Sequence, residues 1–379
     1  MFANIVRFDF YKRKIQFRKM KKIEQETGAV YAGECGWEAL DTIIAKNDFS
    51  KIFVLTDTLT NKLCLPYFLN KTKNTLKSPI ILKINDGEEN KNIATCLKLW
   101  ETLSENNADR KSLLINLGGG VVTDLGGFVA CTFKRGIEFI NVPTTLLAMV
   151  DASVGGKNGV DLGVLKNQIG IIQNAKCVIV DEEFLKTLSD IEINSGAAEM
   201  YKHGLIASEE YWDALAPFNY SESKDITELI WQSILIKNEV VTEDPTEQGL
   251  RKTLNFGHTL GHAIESYCIK NEGRKRLLHG EAIIIGMILA AYISSEITGF
   301  SKNELKKITS ILLLKYKKVR FEISEISEII DLLVYDKKNS HGKINFVLLN
   351  SIGDCSIDRQ VENQLILDSF DYYKNFGKL

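Results

Sequence analysis

The sequence predicts an α/β plus all-α protein: a parallel α/β domain over residues 1–190, then a mainly helical domain over residues 191–379. Up to about residue 180, short runs of branched and aromatic apolar residues alternate with loops and helical patterns. That pitch suits a parallel sheet with crossover helices. From Ile191 onward long helical patterns dominate. At 379 residues the chain is also long for a single core.

In order, Val30–Gly33 reads as a short strand and Trp37–Ala45 as a helix. Lys51–Thr56 and Pro79–Ile84 are further strands, the second leading through Asn85-Asp86-Gly87-Glu88 to a helix over Lys91–Ser104. Leu113–Leu117 is a buried strand running into Gly118-Gly119-Gly120. Phe139–Val142 and Cys177–Val180 complete the set. The helical half is expected at Glu192–Leu215, Asp225–Val241, Gly249–Tyr267, Gly280–Ile297 and Glu304–Leu314. Ile344–Leu349 reads as a late strand that forms a hairpin or returns to a sheet edge. No repeat or low-complexity tract interrupts the chain.

A formal net charge of −2 gives no electrostatic case for nucleic acid or an anionic membrane as partner. The seven cysteines are scattered without a CxxC, which suits reduced thiols and a cytoplasmic location. The basic stretch Met1–Lys22 lacks the apolar core and cleavage site of a secretory signal, and an ordinary first strand or hairpin is expected there.

Three of the five histidines fall in Leu254–Glu265 and Leu278–Glu281. His258 and His262, four apart, share a helix face. Imidazole is both the commonest metal ligand and the natural acid/base near neutral pH. An isolated HxxxH is more often a helix whose histidines hydrogen-bond inside a core. His279, flanked by Gly280 and Glu281 and opening a second apolar helix, moves the reading toward a metal.

Gly118–Gly127, with Gly119, Gly120, Val121 and Asp124, follows a strand and opens a helix, where free backbone N–H groups favour a phosphate. It is not GxGxxG, and the plain alternative is a tight strand–helix turn. Thr144 and Thr145 follow the next strand, where ligands of α/β sheets commonly lie. Asp151–Val160 and Lys166-Asn167 gather two lysines, two asparagines and three glycines, a composition that suits a phosphate. Its alternative is a flexible solvated loop. Glu199 and Lys202 share a helical face, most often an exposed pair. Lys237, Glu247 and Arg251 read as surface charges in isolation. Arg251, seven residues before His258, would share its face on a continuous helix.

Together these motifs resemble the 3-dehydroquinate synthase family, the sugar-phosphate cyclases. GGGVxxDxxGF, PTTLLAxVDxSVGGKxGV, KNxIG, DxxFLxTL, GxAExxK, GLRxxLNxGHTxGHAIE, LHGEA and DKK occur in one order from Asp57 to Asp354. The resemblance implies a Rossmann-like domain followed by a helical one, bound NAD, and Zn2+ or Co2+. The implied reaction converts 3-deoxy-D-arabino-heptulosonate 7-phosphate to 3-dehydroquinate and phosphate, on the route to chorismate. By motif position it implies Glu199, His258 and His279 as metal ligands, with His262 facing the substrate instead. NAD contacts fall on Asp57, Glu88, Lys91, Gly119, Gly120, Val121, Asp124, Thr144, Thr145, Lys157, Lys166, Phe184, Leu185 and Thr187. Substrate contacts fall on Asp151, Lys157, Asn167, Lys202, Lys237, Glu247, Arg251, Asn255, His262 and one of Lys337 and Lys338. Arg135 matches an arginine that reaches the neighbouring subunit's site, which implies a homodimer. Departures at Leu59, Asn158, Leu165, Ser189 and Ile191 leave every implied ligand and charged contact in place. Cyclases making deoxy-inosose or valiolone-type products are the nearest alternatives. Metal-dependent glycerol and alcohol dehydrogenases, which lack the GGK…KN and LRxxLNxGH sets, and an inactive NAD-binding homologue stand further off.

Overall fold

Leu113–Gly118 carries six residues and all are buried, which only a strand covered on both faces can achieve. The computed structural model places it (β6) centrally in a seven-stranded sheet and describes residues 5–7, 21–25, 28–163, 165–217, 226–271, 273–333 and 344–377. The order is β2-β3-β10-β7-β6-β4-β5: Lys22–Gln25, Gly28–Ala32, Cys177–Val180, Glu138–Pro143, β6, Ile52–Asp57 and Ile80–Ile84. Every pairing is parallel except β2 with β3. β5 lies at the edge, and only two of its five residues are buried.

The chain leaves β4 for β5 on one side and returns to β6 on the other. Such a switch point opens a crevice at the carboxyl ends of the two strands. Asp57 ends β4 and Gly118-Gly119 follows β6. Asp57 Oδ1 caps the helix Thr58–Leu63 by accepting from Thr60 N at 2.7 Å. Gly119 is the N-cap of the helix Gly120–Thr132. The Lys157–Asn167 stretch is an antiparallel hairpin, β8 (Lys157–Leu162) with β9 (Leu165–Ile172), rather than a flexible loop. Its glycines are steric: a Cβ on Gly159 would lie 2.5 Å from Ile169 O.

Contacts divide the chain into two units. One comprises Tyr11–Gly196 and Asp225–Asn238; the other comprises Met1–Phe10, Ala197–Lys224 and Glu239–Leu379. The partition differs from a single break after residue 190. β1 (Ile5–Arg7) joins the second unit because it pairs antiparallel with Asp354–Gln360 (β12). The first part of the helix Ile226–Glu243 belongs to the α/β unit.

In the second unit, Asn345–Ser351 (β11) and β12 form the late hairpin. Two expected helices break. Glu192–Leu215 is Asp190–Ala207 and Glu209–Leu215, separated at Ser208, which is extended (φ −158) and whose Oγ accepts from Tyr211 N. Gly249–Tyr267 is a 3-10 turn, Leu250–Asn255, and an α-helix, His258–Lys270. Gly257 lies between them at φ 76, where a side chain would strain. The face shared by Arg251 and His258 on a continuous helix therefore does not exist. The His279–Ile297 helix is long and apolar enough to cross a membrane by composition, yet 78% of its apolar window is buried. It is a core helix.

That helix meets His258–Lys270 at glycines. A Cβ on Gly286 would lie 2.0 Å from Gly257 O and 2.7 Å from Gly261 N, and one on Gly261 would lie 2.8 Å from Ile283 Cδ1. The backbones touch, which only glycine permits. The approach brings the first residues of both helices, His258 and His279, together.

Candidate functional site

Three donor side chains converge in the helical unit. Glu199 Oε1 lies 3.4 Å from His258 Nε2 and 3.4 Å from His279 Nε2. Ligands about 2.0–2.2 Å from a tetrahedral zinc ion are separated by about 3.3–3.6 Å. His258 Nδ1 is 3.2 Å from Phe256 O. A carbonyl only accepts, so Nδ1 carries the proton and Nε2 presents its lone pair. His279 Nδ1 donates to Glu265 Oε2 at 3.2 Å. Burial alone would lower the His279 pKa, but the hydrogen bonds to Glu199 and Glu265 outweigh it and raise it to about 9. A metal ion binding there displaces that proton. The donor set fits zinc or cobalt: one buried carboxylate and two oriented imidazoles. His262 belongs to the same cluster, since ligand nitrogens of His258, His262 and His279 lie within 4.8 Å of one another. Helical spacing alone had singled out the His258–His262 pair; the cluster also holds His279 and the carboxylate of Glu199.

Lys202 is 1% exposed and its ammonium contacts Glu199 Oε2. The pair is thus the reverse of a solvated surface pair. Arg251 is 2% exposed, and its Nη1 donates to Pro245 O at 2.7 Å. Asn255 Nδ2 donates to Glu247 Oε1 at 2.7 Å, with Glu247 held in the left-handed region at φ 62. Lys337 and Lys338 lie outside the described residues.

In the α/β unit, Lys91 is 3% exposed and donates to Asp124 Oδ2 and Asn167 Oδ1, each at 2.6 Å. Burial opposes its charge, but Asp124 and Glu88 outweigh that and raise its pKa. Asp161 Oδ1 accepts from Asn167 N at 2.6 Å, which fixes Asn167 at φ 50. Lys166 Nζ is 3.6 Å from Glu88 Oε1. Gly120 and Val121 open the helix that carries Asp124. Thr144 N donates to Gly118 O at 3.0 Å, and its hydroxyl is buried beside the Cys64 thiol. Thr145 Oγ1 accepts from Ala148 N. Lys237 Nζ reaches both the backbone carbonyl of Asp151 and its carboxylate, the latter at 2.6 Å. Lys157 is exposed on β8. Arg135 lies in the turn Phe133–Arg135 at φ 68.

Two acids escaped the sequence reading. Glu265 stands two turns after His258 in the GHAIE string, and that spacing was its only signal. Asp181 accepts from Trp37 Nε1 at 2.8 Å and Tyr67 Oη at 2.7 Å. It also caps the turn Glu182–Thr187, which carries Phe184, Leu185 and Thr187. Trp37 and Tyr67 are distant in sequence, so its only local signal was its place as the first residue of the DxxFLxTL string.

The family described as 3-dehydroquinate synthase N-terminal matches residues 81–195, and 3-dehydroquinate synthase C-terminal matches residues 196–339. A 3-dehydroquinate synthase of Parabacteroides distasonis is 41% identical over 344 residues, covering 89% of this chain and 96% of that protein. The chain belongs to the 3-dehydroquinate synthase family. Its reaction is that of a 3-dehydroquinate synthase, a phosphate-eliminating carbon–oxygen lyase of the shikimate pathway. A 2-deoxy-scyllo-inosose synthase complexed with carbaglucose-6-phosphate, NAD+ and Co2+ has TM-score 0.76 at 25% identity, covering 92% of this chain and 96% of its own. A 2-epi-5-epi-valiolone synthase from Streptomyces hygroscopicus with NAD+ and Zn2+ bound has TM-score 0.80 at 21% identity, covering 93% and 98%, and shares the fold.

The pair of buried Lys91 and half-buried Asp124 gives a stability test. Removing one partner of a fully buried pair costs about 3–5 kcal/mol, so the lower end is expected where Asp124 is half-buried, whereas replacing both by apolar groups is often near neutral. Lys91→Met should lower the urea midpoint accordingly at unchanged slope, and Lys91→Met with Asp124→Leu should recover most of the loss. Equal midpoints for Lys91→Met and the parent would show that the pair contributes nothing.

Proposed function

We propose that Glu199, His258 and His279 hold a divalent metal, zinc or cobalt, and that the crevice beyond β4 and β6 holds NAD. The observation that carries this is the pair of 3.4 Å separations meeting at Glu199 Oε1. The NAD contacts would be Asp57, Glu88, Lys91, Gly119, Gly120, Val121, Asp124, Thr144, Thr145, Lys166 and the Phe184–Thr187 turn. The substrate is 3-deoxy-D-arabino-heptulosonate 7-phosphate. When bound, the metal polarises the oxygen on the substrate's C5, and NAD serves as a hydride acceptor that is restored within each turnover.

The chain's own groups bind, orient and move protons. Lys157, Asn167, Asn255, His262 and one of Lys337 and Lys338 would hold the phosphate. Lys237 and Arg251 would hold the carboxylate. Asp151 anchors Lys237 through its carboxylate, and Glu247 anchors Asn255. Lys202 balances the charge of Glu199. His262 is suited to carry a proton between the C5 hydroxyl and the departing phosphate. The expected location is the cytoplasm.

Purified protein given the heptulosonate phosphate, metal and NAD should release phosphate and 3-dehydroquinate far in excess of the NAD supplied, without net NADH absorbance. A chelator should abolish turnover, and zinc or cobalt should restore it. Stoichiometric NADH formation would make the protein a dehydrogenase, and full turnover without metal would remove the ligand assignment.

Arg251 separates the substrate from carboxylate-free sugar phosphates. Its fork suits a planar carboxylate, and its burial excludes a mere surface ion pair. Truncating one partner of a desolvated pair costs roughly 2–5 kcal/mol, on the order of thirty- to several-thousand-fold. Arg251→Ala should lower kcat/KM by that order with zinc content intact. A near-normal value would remove its role.

We also propose a homodimer in which Arg135 serves the neighbouring subunit. Mixing an Arg135→Ala chain with a Lys157→Ala chain should regenerate activity in the hybrid. A fully active monomer in sedimentation would rule this out.

A further inference from the structure

Glu265 is 4% exposed, and a buried carboxylate is costly unless something pairs with it. It stands on the helix His258–Lys270, two turns beyond His258, so both project from one face. Its Oε2 accepts from His279 Nδ1 at 3.2 Å. Only the other nitrogen of that ring, Nε2, points at Glu199. The backbone of His279 is fixed separately, because Glu281 Oε2 accepts from Leu278 N at 2.8 Å and caps the helix at His279. The cap sets where the ring begins, and Glu265 sets how it turns and which nitrogen carries the proton.

We infer that Glu265 is a positioning residue for the metal: it holds His279 with Nδ1 protonated and Nε2 aimed at the ion, and its charge strengthens His279 as a ligand. Carboxylate partners of this kind are general to metal-bound histidines, and their loss typically weakens metal binding about 10- to 100-fold. The inference rests on the ligand assignment proposed above. The alternative is an ion pair that merely joins two helices. That pair would affect the fold and the metal alike, whether or not His279 is a ligand.

The test measures zinc affinity by competition with a chromophoric chelator, and cobalt affinity by d–d absorption. Glu265→Gln keeps the shape and an acceptor oxygen but removes the charge. It should weaken zinc binding by about 10- to 100-fold, with the far-UV circular dichroism of the metal-free protein unchanged. In a His279→Ala background the same change should alter the residual cobalt affinity by less than about twofold, since the residue it acts through is gone. Equal losses in both backgrounds, or parental zinc affinity in Glu265→Gln, would overturn the inference. Glu265→Asp, which withdraws the carboxylate by one methylene, gives the same reading if the amide variant does not fold. Undiminished zinc binding by His279→Ala would instead overturn the ligand assignment itself.

Discussion

The proposed metal site depends on a contact that involves none of its candidate ligands: the glycine-to-glycine approach of the helices His258–Lys270 and His279–Ile297. Packed helices usually sit about 8–10 Å apart, held off by side chains. Here Gly286 faces the carbonyl of Gly257 and the amide of Gly261 with no room for a methyl group. Each of the two helices begins at its histidine, so the spacing of the two backbones becomes the spacing of the two rings. Alanine favours a helix over glycine by about 1 kcal/mol, and that preference is forgone at Gly286. Overpacking a tight contact costs about 1–3 kcal/mol, so steric exclusion outweighs propensity here.

The α/β unit solves a different problem. An open sheet offers a crevice at its switch point, but the crevice needs fixed polar groups. Lys91 supplies a buried cation that ties the helix bearing Asp124 to the hairpin bearing Asn167. Asp181 does the same for the turn bearing Phe184, Leu185 and Thr187, through Trp37 and Tyr67. In both places one charged group, satisfied on several sides, fixes a segment that lies outside the seven-stranded sheet.

What could be read from the sequence followed its local periodicity. The buried strands around Leu113–Gly118 were plain because parallel strands covered on both faces are continuous apolar runs. The β8–β9 hairpin was hidden because glycine, asparagine and lysine have loop composition. Its pairing depends on close backbone approach at Gly159 and Gly170 that no residue announces. The helix breaks at Ser208 and Gly257 were missed for the opposite reason: the apolar period continues across them while the backbone does not. The helices Ile323–Leu332 and Asn363–Asn375 also went unread. Resemblance, not spacing, joined Glu199 to His258 and His279, since the residues come from three separate helices.

Burial is the property the sequence could not supply, and it decides which charges matter. Lys202, Lys237 and Arg251 each read as an ordinary surface charge. Among the described residues, the buried charged side chains are Lys91, Asp181, Glu199, Lys202, Lys237, Arg251 and Glu265. Five of them fall on positions assigned to metal, cofactor or substrate. The other two, Asp181 and Glu265, accept hydrogen bonds that fix a turn of the proposed cofactor site and a histidine of the proposed metal site. Buried charge is a poor source of stability, because desolvation can exceed the Coulombic gain even in a well-paired site. A fold that only had to be stable would place apolar residues at these positions. Their concentration at the proposed metal, cofactor and substrate positions, rather than through the core at large, is what a chain shows when chemistry rather than stability selects its interior polar groups.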